Sequence, residues 1–179
     1  VRASFIPPQD LRELRLVSRY RRRVSTTLSS EINRQHKLLD DAGIKLGGVV
    51  SDLHGVSARA MVKGLIEGRS PAELLAHARG ALKRKLEPLL LSLDGELSPR
   101  HRFVLVQLQS HIEQLERELA ALDAYLLAAM QPYAWAHRLL QTIPGIDQTA
   151  AALILIEIGD DMQRFGAARR LACWAALSP

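Results

Sequence analysis

The sequence has few of the features that build disulfide frameworks or membrane spans. Its one cysteine, Cys173, cannot form an internal disulfide, and the neighbours Leu171 and Ala172 predict a small core residue rather than a nucleophile. The longest apolar run, residues 150–156, is too short to cross a bilayer, and the N-terminus has no apolar core of a signal peptide. We therefore expect a cytoplasmic protein that does not enter a membrane.

Aromatic residues and strand patterns are also scarce. Aromatic side chains make up 4% of the 179 residues, and no segment alternates apolar with polar residues as a half-buried strand would. Leucine and alanine dominate, and 47% hydrophobic content is sufficient to build a core. The composition predicts an all-α fold that is ordered for most of its length.

The positive charge is concentrated at one end of the sequence. The formal net charge is +5, and residues 1–40 hold nine of the 24 Lys and Arg but only four of the 19 Asp and Glu. The other 15 basic and 15 acidic residues cancel. Such asymmetry favours contact with phosphate, because each neutralised phosphate releases counterions and adds affinity that does not depend on base sequence.

The first long helix is predicted from residue 8 to about residue 40. Its apolar positions follow helical spacing at Leu11, Leu14, Val17, Val24, Leu28, Ile32 and Leu39. Arg21 occupies a position in this row where the spacing calls for an apolar side chain. A polar residue in such a row predicts a specific polar partner, which often fixes register or oligomeric state.

The second long helix has the clearest pattern in the sequence. Spacings of three and four residues alternate, as in a coiled-coil heptad, through Leu105, Leu108, Ile112, Leu115, Leu119, Leu122, Leu126 and Ala129. Ser98-Pro99 predicts its start and Gln131-Pro132 its end. The carboxylates Glu113, Glu116, Glu118 and Asp123 fall on its polar faces, and we expect them to form a solvated surface rather than a metal site.

Four segments follow from these signals. Residues 41–97 contain eight of the eleven glycines, which predicts short helices joined by turns, one of them started by a capping box at Ser70 and Glu73. The segments are a basic helix at 1–40, a helical insertion at 41–97, a coiled-coil helix at 98–131 and a compact region at 132–179. The two long helices could fold back as an antiparallel pair, or each could pair with its copy in another subunit.

A short turn lies inside the last segment. Ile143-Pro144-Gly145-Ile146, between two helical stretches, has the form of a helix-hairpin-helix turn, in which glycine lets backbone N–H groups approach a phosphate. The alternative is an ordinary tight turn in which Asp147 caps the following helix. Asp147 would also repel a phosphate, which favours the capping role.

The turn belongs to an ordered series of residues. It continues with Thr149-Ala150-Ala151, Glu157-Ile158-Gly159, Arg164-Phe165 and Leu171 to Pro179, and this series resembles the C-terminal domain of the insertion-sequence transposase family IS110. Upstream, Phe5-Ile6-Pro7-Pro8 and Arg19-Tyr20-Arg21-Arg22 are similar to the segment in which that family leaves its N-terminal domain. Two positions depart from the family, since Asp147 and Ala176 stand where it usually has glycine.

The resemblance implies two catalytic centres, and both would lie outside this sequence. A tetrad of acidic residues in a ribonuclease-H-like domain, binding a divalent metal such as magnesium, would precede Val1. A nucleophilic serine would follow Pro179, and Ser178 does not occupy its position. The family also implies a structured RNA that pairs with DNA, so the protein would contact nucleic-acid backbone rather than read bases. We expect neither a catalytic residue nor a cofactor in this chain.

The sequence thus predicts an internal fragment of a transposase, whose full-length form cleaves and rejoins DNA. The fragment would serve homo-oligomer assembly and the binding of DNA and structured RNA. The residues predicted to contact nucleic acid are Arg19, Arg21, Arg22, Arg23, Gly145, Arg169 and Arg170. Two alternatives stay open: a purely structural coiled-coil module, and a helix-hairpin-helix DNA-binding protein.

Overall fold

A computed structural model describes residues 8–174, and within them the protein is all-α, with no strand. This agrees with the fold class predicted from the sequence. The α-helices are α1 (Gln9–Asp41), α2 (Val56–Ile66), α3 (Pro71–Leu74), α4 (Leu86–Ser92), α5 (Pro99–Ala129), α6 (Ala134–Leu140), α7 (Gln148–Ile158) and α8 (Ala168–Trp174). Short 3₁₀ helices lie at Leu46–Gly48, Leu75–His77, Gly80–Arg84, Gln131–Tyr133 and Met162–Arg164.

Local sequence signals set the ends of these helices. The Ser98 hydroxyl accepts a hydrogen bond from the His101 N–H at 3.2 Å and so caps α5, as predicted. At α3, Ser70 and Glu73 form the predicted capping box, in which the Glu73 carboxylate accepts the Ser70 N–H at 2.7 Å. After α5, Pro132 lies in a 3₁₀ turn rather than in a continued α-helix, because proline lacks the N–H that the helix would need.

The chain divides into two compact units. We call residues 1–24 and 118–179 the terminal unit, and residues 25–117 the central unit. The boundary between them falls within both long helices, so each unit contains one part of α1 and one part of α5. The four segments predicted from the sequence divide the chain in consecutive order, and this division stays a prediction.

In the terminal unit, the first part of α1 pairs antiparallel with the last part of α5. Tyr20 of α1 contacts Glu118, whereas Asp10, earlier in α1, contacts Tyr133, which follows α5. The core beneath this pair contains Leu11, Leu14, Leu126, Met130, Ala136, Ala152, Leu155 and Ile156. Helices α6 and α7 pack against each other and close this core.

In the central unit, the remaining parts of α1 and α5 also pair antiparallel. Gln35 donates to Gln109 at 3.0 Å, and His101 contacts Asp41 at 3.0 Å, so positions that rise along α1 meet positions that fall along α5. Its largest fully buried side chains are Leu39, Ile44, Leu46, Met61, Leu74, Leu89, Leu93, Leu105 and Ile112. Most of them come from the glycine-rich insertion, which packs against α1 and α5 to form this core.

The folded-back arrangement is the one that the chain adopts within each unit. The predicted heptad positions face inwards, since Leu105, Leu108, Ile112, Leu115 and Leu126 are buried and the other three are half-buried. None of the helices within residues 8–174 combines the length and the apolar character that crossing a membrane requires.

The predicted burial of Cys173 is wrong, because this side chain is exposed. Its apolar neighbours in the sequence suggested a core position, but the face of α8 that carries it is not covered by the described part of the chain.

Candidate nucleic-acid interface

All seven residues predicted to contact nucleic acid lie in the terminal unit, on three separate elements. Arg19 and Arg21 to Arg23 belong to α1, Gly145 lies in the turn between α6 and α7, and Arg169 and Arg170 belong to α8. Six of the seven are exposed, and Arg21 is half-buried. The α1 group provides the densest charge.

Three of the four α1 arginines share one face of the helix. Arg19, Arg22 and Arg23 are spaced by three and four residues, which places their side chains next to one another on a helix surface. Arg12, one heptad before Arg19, is exposed on the same side and lengthens this face. We call Arg12, Arg19, Arg22 and Arg23 the basic face. Sequence reasoning counted Arg12 in the charge excess but did not assign it to the site.

Arg21 points elsewhere and has an intramolecular partner. Its guanidinium forms a bidentate pair with Asp123, with Nη2 donating to Oδ2 at 3.1 Å and Nε donating to Oδ1. This hydrogen bond raises the pKa of Arg21. Asp123 is the polar partner that the interrupted row of apolar positions predicted. Contact between Arg21 and nucleic acid stays a prediction, but the geometry commits its guanidinium to the helix pair.

Arg15 has a structural role that the sequence did not reveal. Its Nη2 donates to the Glu157 carbonyl at 2.6 Å, and its Nε donates to the Ile156 carbonyl at 3.1 Å and lies 3.4 Å from a Glu157 carboxylate oxygen. These carbonyls belong to the last turn of α7, where the backbone lacks intrahelical donors and carries partial negative charge. Because the partners are more than 140 residues apart, no local pattern could have indicated the contact.

The turn between α6 and α7 is a capped tight turn. Gly145 has φ of +88°, which favours glycine, and a Cβ built there would meet nothing within 4 Å. The Asp147 carboxylate accepts the Ala150 N–H at 2.7 Å, so the predicted capping role is confirmed. This carboxylate occupies the α7 N-terminus, where a phosphate would otherwise bind. Nucleic-acid contact at Gly145 stays a prediction.

Two tyrosine–carboxylate hydrogen bonds hold the start of α1 in the terminal unit. The Tyr133 hydroxyl donates to Asp10 at 2.5 Å, which raises the pKa of Tyr133 to about 12 and lowers the pKa of Asp10. The Tyr20 hydroxyl donates to Glu118, which raises the pKa of Tyr20. These bonds anchor the helix that carries the basic face.

Of the four carboxylates on α5, Glu113 is exposed, as predicted, but Glu116, Glu118 and Asp123 are half-buried against other elements and are not the solvated surface that the sequence predicted. Glu116 accepts hydrogen bonds from His54 at 2.8 Å and Arg59 at 2.6 Å, Asp123 pairs with Arg21, and Glu113 accepts from Gln109 at 2.9 Å. The prediction was wrong because helical spacing shows which face is polar but not which element covers it. Within residues 8–174, no three His, Cys, Asp or Glu side chains are grouped to hold a metal ion, so we assign no step to a metal.

The other predicted positions are of two kinds. Arg169 and Arg170 lie exposed on α8, the last described helix. Residues 5–7, Ala176 and Ser178, which contributed to the family resemblance, lie outside the described residues.

One family comparison gives a match. Residues 137–179 match the model described as Transposase IS116/IS110/IS902 family. The match begins in α6 and includes the capped turn, the α7 terminus held by Arg15, and the two α8 arginines. Over these residues it agrees with the family that the sequence resemblance predicted. No curated protein and no solved structure matches the chain.

Proposed function

We propose that this chain serves transposition by binding the backbone of DNA and structured RNA and by assembling subunits. The proposal starts from the match of residues 137–179 to the IS116/IS110/IS902 transposase family. The observation that carries the proposal is the basic face of α1, which lies in the same compact unit as the family-matched region. Strand cleavage and rejoining, and a metal such as magnesium, belong to the catalytic centres that the resemblance places beyond this chain.

The basic face suits phosphate contact better than base recognition. Its four side chains are all arginines, whose planar guanidinium groups match the geometry of phosphate oxygens. Binding of this kind is sequence-independent and salt-sensitive, because each neutralised phosphate releases counterions. Such contacts fit a protein whose sequence specificity comes from RNA–DNA pairing, as the family resemblance implies.

Exposure and the burial of the guanidinium group distinguish the arginines that we test from those that hold the fold. Arg15 holds the α7 terminus and Arg21 holds Asp123, so we assign both to the fold. Arg19, Arg22 and Arg23, which are exposed on one face of α1, are the test positions. The exposed arginines Arg100, Arg117 and Arg138 provide a control set, because their removal changes the net charge equally without touching the basic face.

A salt titration tests the binding role. Binding of the 179-residue chain to a labelled RNA hairpin and to a branched DNA would be measured by fluorescence anisotropy across a range of salt concentrations. For R19Q/R22Q/R23Q, we expect the slope of log affinity against log salt to fall in magnitude by about 2 to 3, since each phosphate contact contributes roughly 0.7 to 0.9. The control R100Q/R117Q/R138Q should keep most of the slope. Equal slopes for the two variants would contradict the proposal.

Subunit assembly is the second half of the proposal. The heptad positions are buried within the chain, so an interface between subunits would use apolar side chains on outward faces, of which Phe103 is 68% exposed. Val104 and Val106 beside it are also exposed, and a contiguous apolar patch of this kind is typical of a contact surface. A concentration-dependent increase in mass by sedimentation equilibrium, lost in F103E, is expected. A monomer at every concentration would contradict assembly.

The alternatives make different predictions in these experiments. A purely structural module would assemble but would show no salt-sensitive affinity for nucleic acid. A helix-hairpin-helix DNA-binding protein would lose affinity when the turn is changed, but the Asp147 carboxylate at the α7 N-terminus gives this alternative the least support.

A further inference from the structure

The insertion carries a second strongly basic surface that overall charge counting conceals. Residues 79–85 contain Arg79, Lys83, Arg84 and Lys85, and no acidic residue occurs between Glu73 and Glu87. The balance of charge over the rest of the sequence hides this local excess. We call these four residues the basic turn, and they all lie in the central unit.

The fold holds the basic turn in place while exposing its charges. The Arg79 N–H donates to the Ser57 hydroxyl at 3.2 Å, and the chain then forms the 3₁₀ helix Gly80–Arg84. Leu82 is half-buried and packs against the core of the central unit. All four basic side chains are exposed. The turn is thus anchored by its backbone and by one leucine, and its charged groups face solvent.

The four charges are not neutralised within the described part of the chain. None of these side chains forms an ion pair or a hydrogen bond with another residue of the range 8–174. Other basic side chains of the same unit are held: Arg59 by Glu116 at 2.6 Å, and Arg69 by Glu67 at 2.7 Å. Four adjacent cations without counterions raise the local potential and attract an anionic partner.

A cleft lies beside the basic turn. It has a volume of about 260 Å³, and its polar lining includes Arg79, Lys85, Ser51 and Ser57. Asp52 also lines it and accepts the His54 N–H at 2.8 Å, and the two cations outnumber its single negative charge. Two cations and two hydroxyl groups around a concave surface provide the donors that phosphate oxygens accept.

We propose that the basic turn and its cleft bind a phosphodiester backbone, with one phosphate seated between Arg79 and Lys85 and neighbouring phosphates along Lys83 and Arg84. Four charges along one exposed turn exceed what a single small anion neutralises, so a polyanion is the fitting ligand. This inference rests on the proposed function, because it assumes that the chain meets nucleic acid, but it assigns a site separate in sequence from α1.

The test compares two variants of equal charge in the 179-residue chain. R79Q/K83Q/R84Q/K85Q removes the basic turn, and K37Q/K63Q/R100Q/R117Q removes four exposed charges elsewhere in the central unit. Affinity for an RNA hairpin and for a branched DNA of equal length is measured across salt concentrations, with circular dichroism confirming that the helices are retained. For the first variant, the salt slope should fall in magnitude by about 3, from four contacts of roughly 0.7 to 0.9 each. The two nucleic acids show which source of phosphate binds better.

The outcomes separate this site from the basic face of α1. The basic turn would be overturned as a site if R79Q/K83Q/R84Q/K85Q and K37Q/K63Q/R100Q/R117Q had equal salt slopes. If only R19Q/R22Q/R23Q then had a reduced slope, the proposed function would still stand. A loss in the basic-turn variant alone would support this site and contradict the α1 face. No salt-sensitive binding by the unaltered chain would overturn both. A photocrosslinking residue at position 83 should label the RNA hairpin, whereas one at position 63 should not.

Discussion

Breaking the Arg21–Asp123 pair should lower the free energy of unfolding of the terminal unit. Both side chains are partly shielded, with 19% and 26% of their surface exposed, and the pairing is bidentate. An exposed ion pair contributes about 0.2 to 1 kcal/mol, whereas breaking a fully buried one costs about 3 to 5 kcal/mol. Because the burial of this pair is intermediate, we expect R21M or D123L to lower the free energy of unfolding by about 1 to 3 kcal/mol. Each change leaves the other charge unpaired between the helices.

The double variant distinguishes pairing from simple loss of side chains. R21M/D123L replaces both charges with apolar groups of similar size, which is often neutral for a shielded pair, so we expect stability close to that of the unaltered protein. With single losses of about 1 to 3 kcal/mol each and a double variant near the unaltered protein, the coupling energy from the double-mutant cycle should be about 2 to 6 kcal/mol in magnitude. Urea unfolding followed by circular dichroism at 222 nm measures all four proteins. Additive effects, with a coupling energy below about 0.3 kcal/mol, would refute the assigned role of Arg21.

Three further predictions concern single positions. Gly95→Ala should cost about 2 to 3 kcal/mol in urea unfolding, since its Cβ would lie 2.4 Å from the Ala42 carbonyl oxygen, whereas Gly48→Ala, with nothing within 4 Å, is the control and an equal loss there would contradict the reasoning. Asp147→Ala should cost about 1 kcal/mol while Asp147→Asn keeps the cap, and equal losses would count against capping. Tyr133 has its pKa raised to about 12 from 10.0, so its contribution to stability is complete below pH 10 and is lost as pH rises through about 12. Thermal unfolding measured across this pH range should show no such loss of stability in Y133F. If the stability of Y133F fell with pH as that of the unaltered protein does, Tyr133 would not be the source of the loss.

Local signals in the sequence predicted the helices well. The first helix was expected from residue 8 to about 40 and runs from Gln9 to Asp41, because apolar spacing and the change to glycine-rich sequence both mark its extent. Caps at Ser70, Ser98 and Asp147 were readable because their partners lie three residues away. Such contacts depend only on neighbouring residues, which the sequence shows directly.

Contacts across the fold could not be predicted in the same way. The heptad pattern is identical whether the partner helix comes from the same chain or from another, so the antiparallel return was an open alternative. The row interrupted by Arg21 indicated that a polar partner exists, but not that it is Asp123. Arg15 at the end of α7 and Glu116 beside His54 and Arg59 depend on tertiary contacts that have no sequence signature.

The candidate site was predicted in outline and refined by geometry. Charge asymmetry identified the arginines of α1, but only the fold shows that Arg19, Arg22 and Arg23 are exposed whereas Arg21 is half-buried against α5. Charge counting also concealed the basic turn, because its excess cancels against acidic residues elsewhere in the sequence. Exposure and pairing, which decide whether a charge can meet a partner, are properties of the folded chain.

The salt dependence of nucleic-acid binding by the basic face tests the central claim most directly. Affinity of the 179-residue chain for an RNA hairpin, measured between about 50 and 200 mM salt, should fall steeply in the unaltered protein and in R100Q/R117Q/R138Q. In R19Q/R22Q/R23Q, the slope of log affinity against log salt should be smaller by about 2 to 3. An unaltered slope in R19Q/R22Q/R23Q, or no salt-sensitive binding at all, would contradict the assignment of α1 as a nucleic-acid interface.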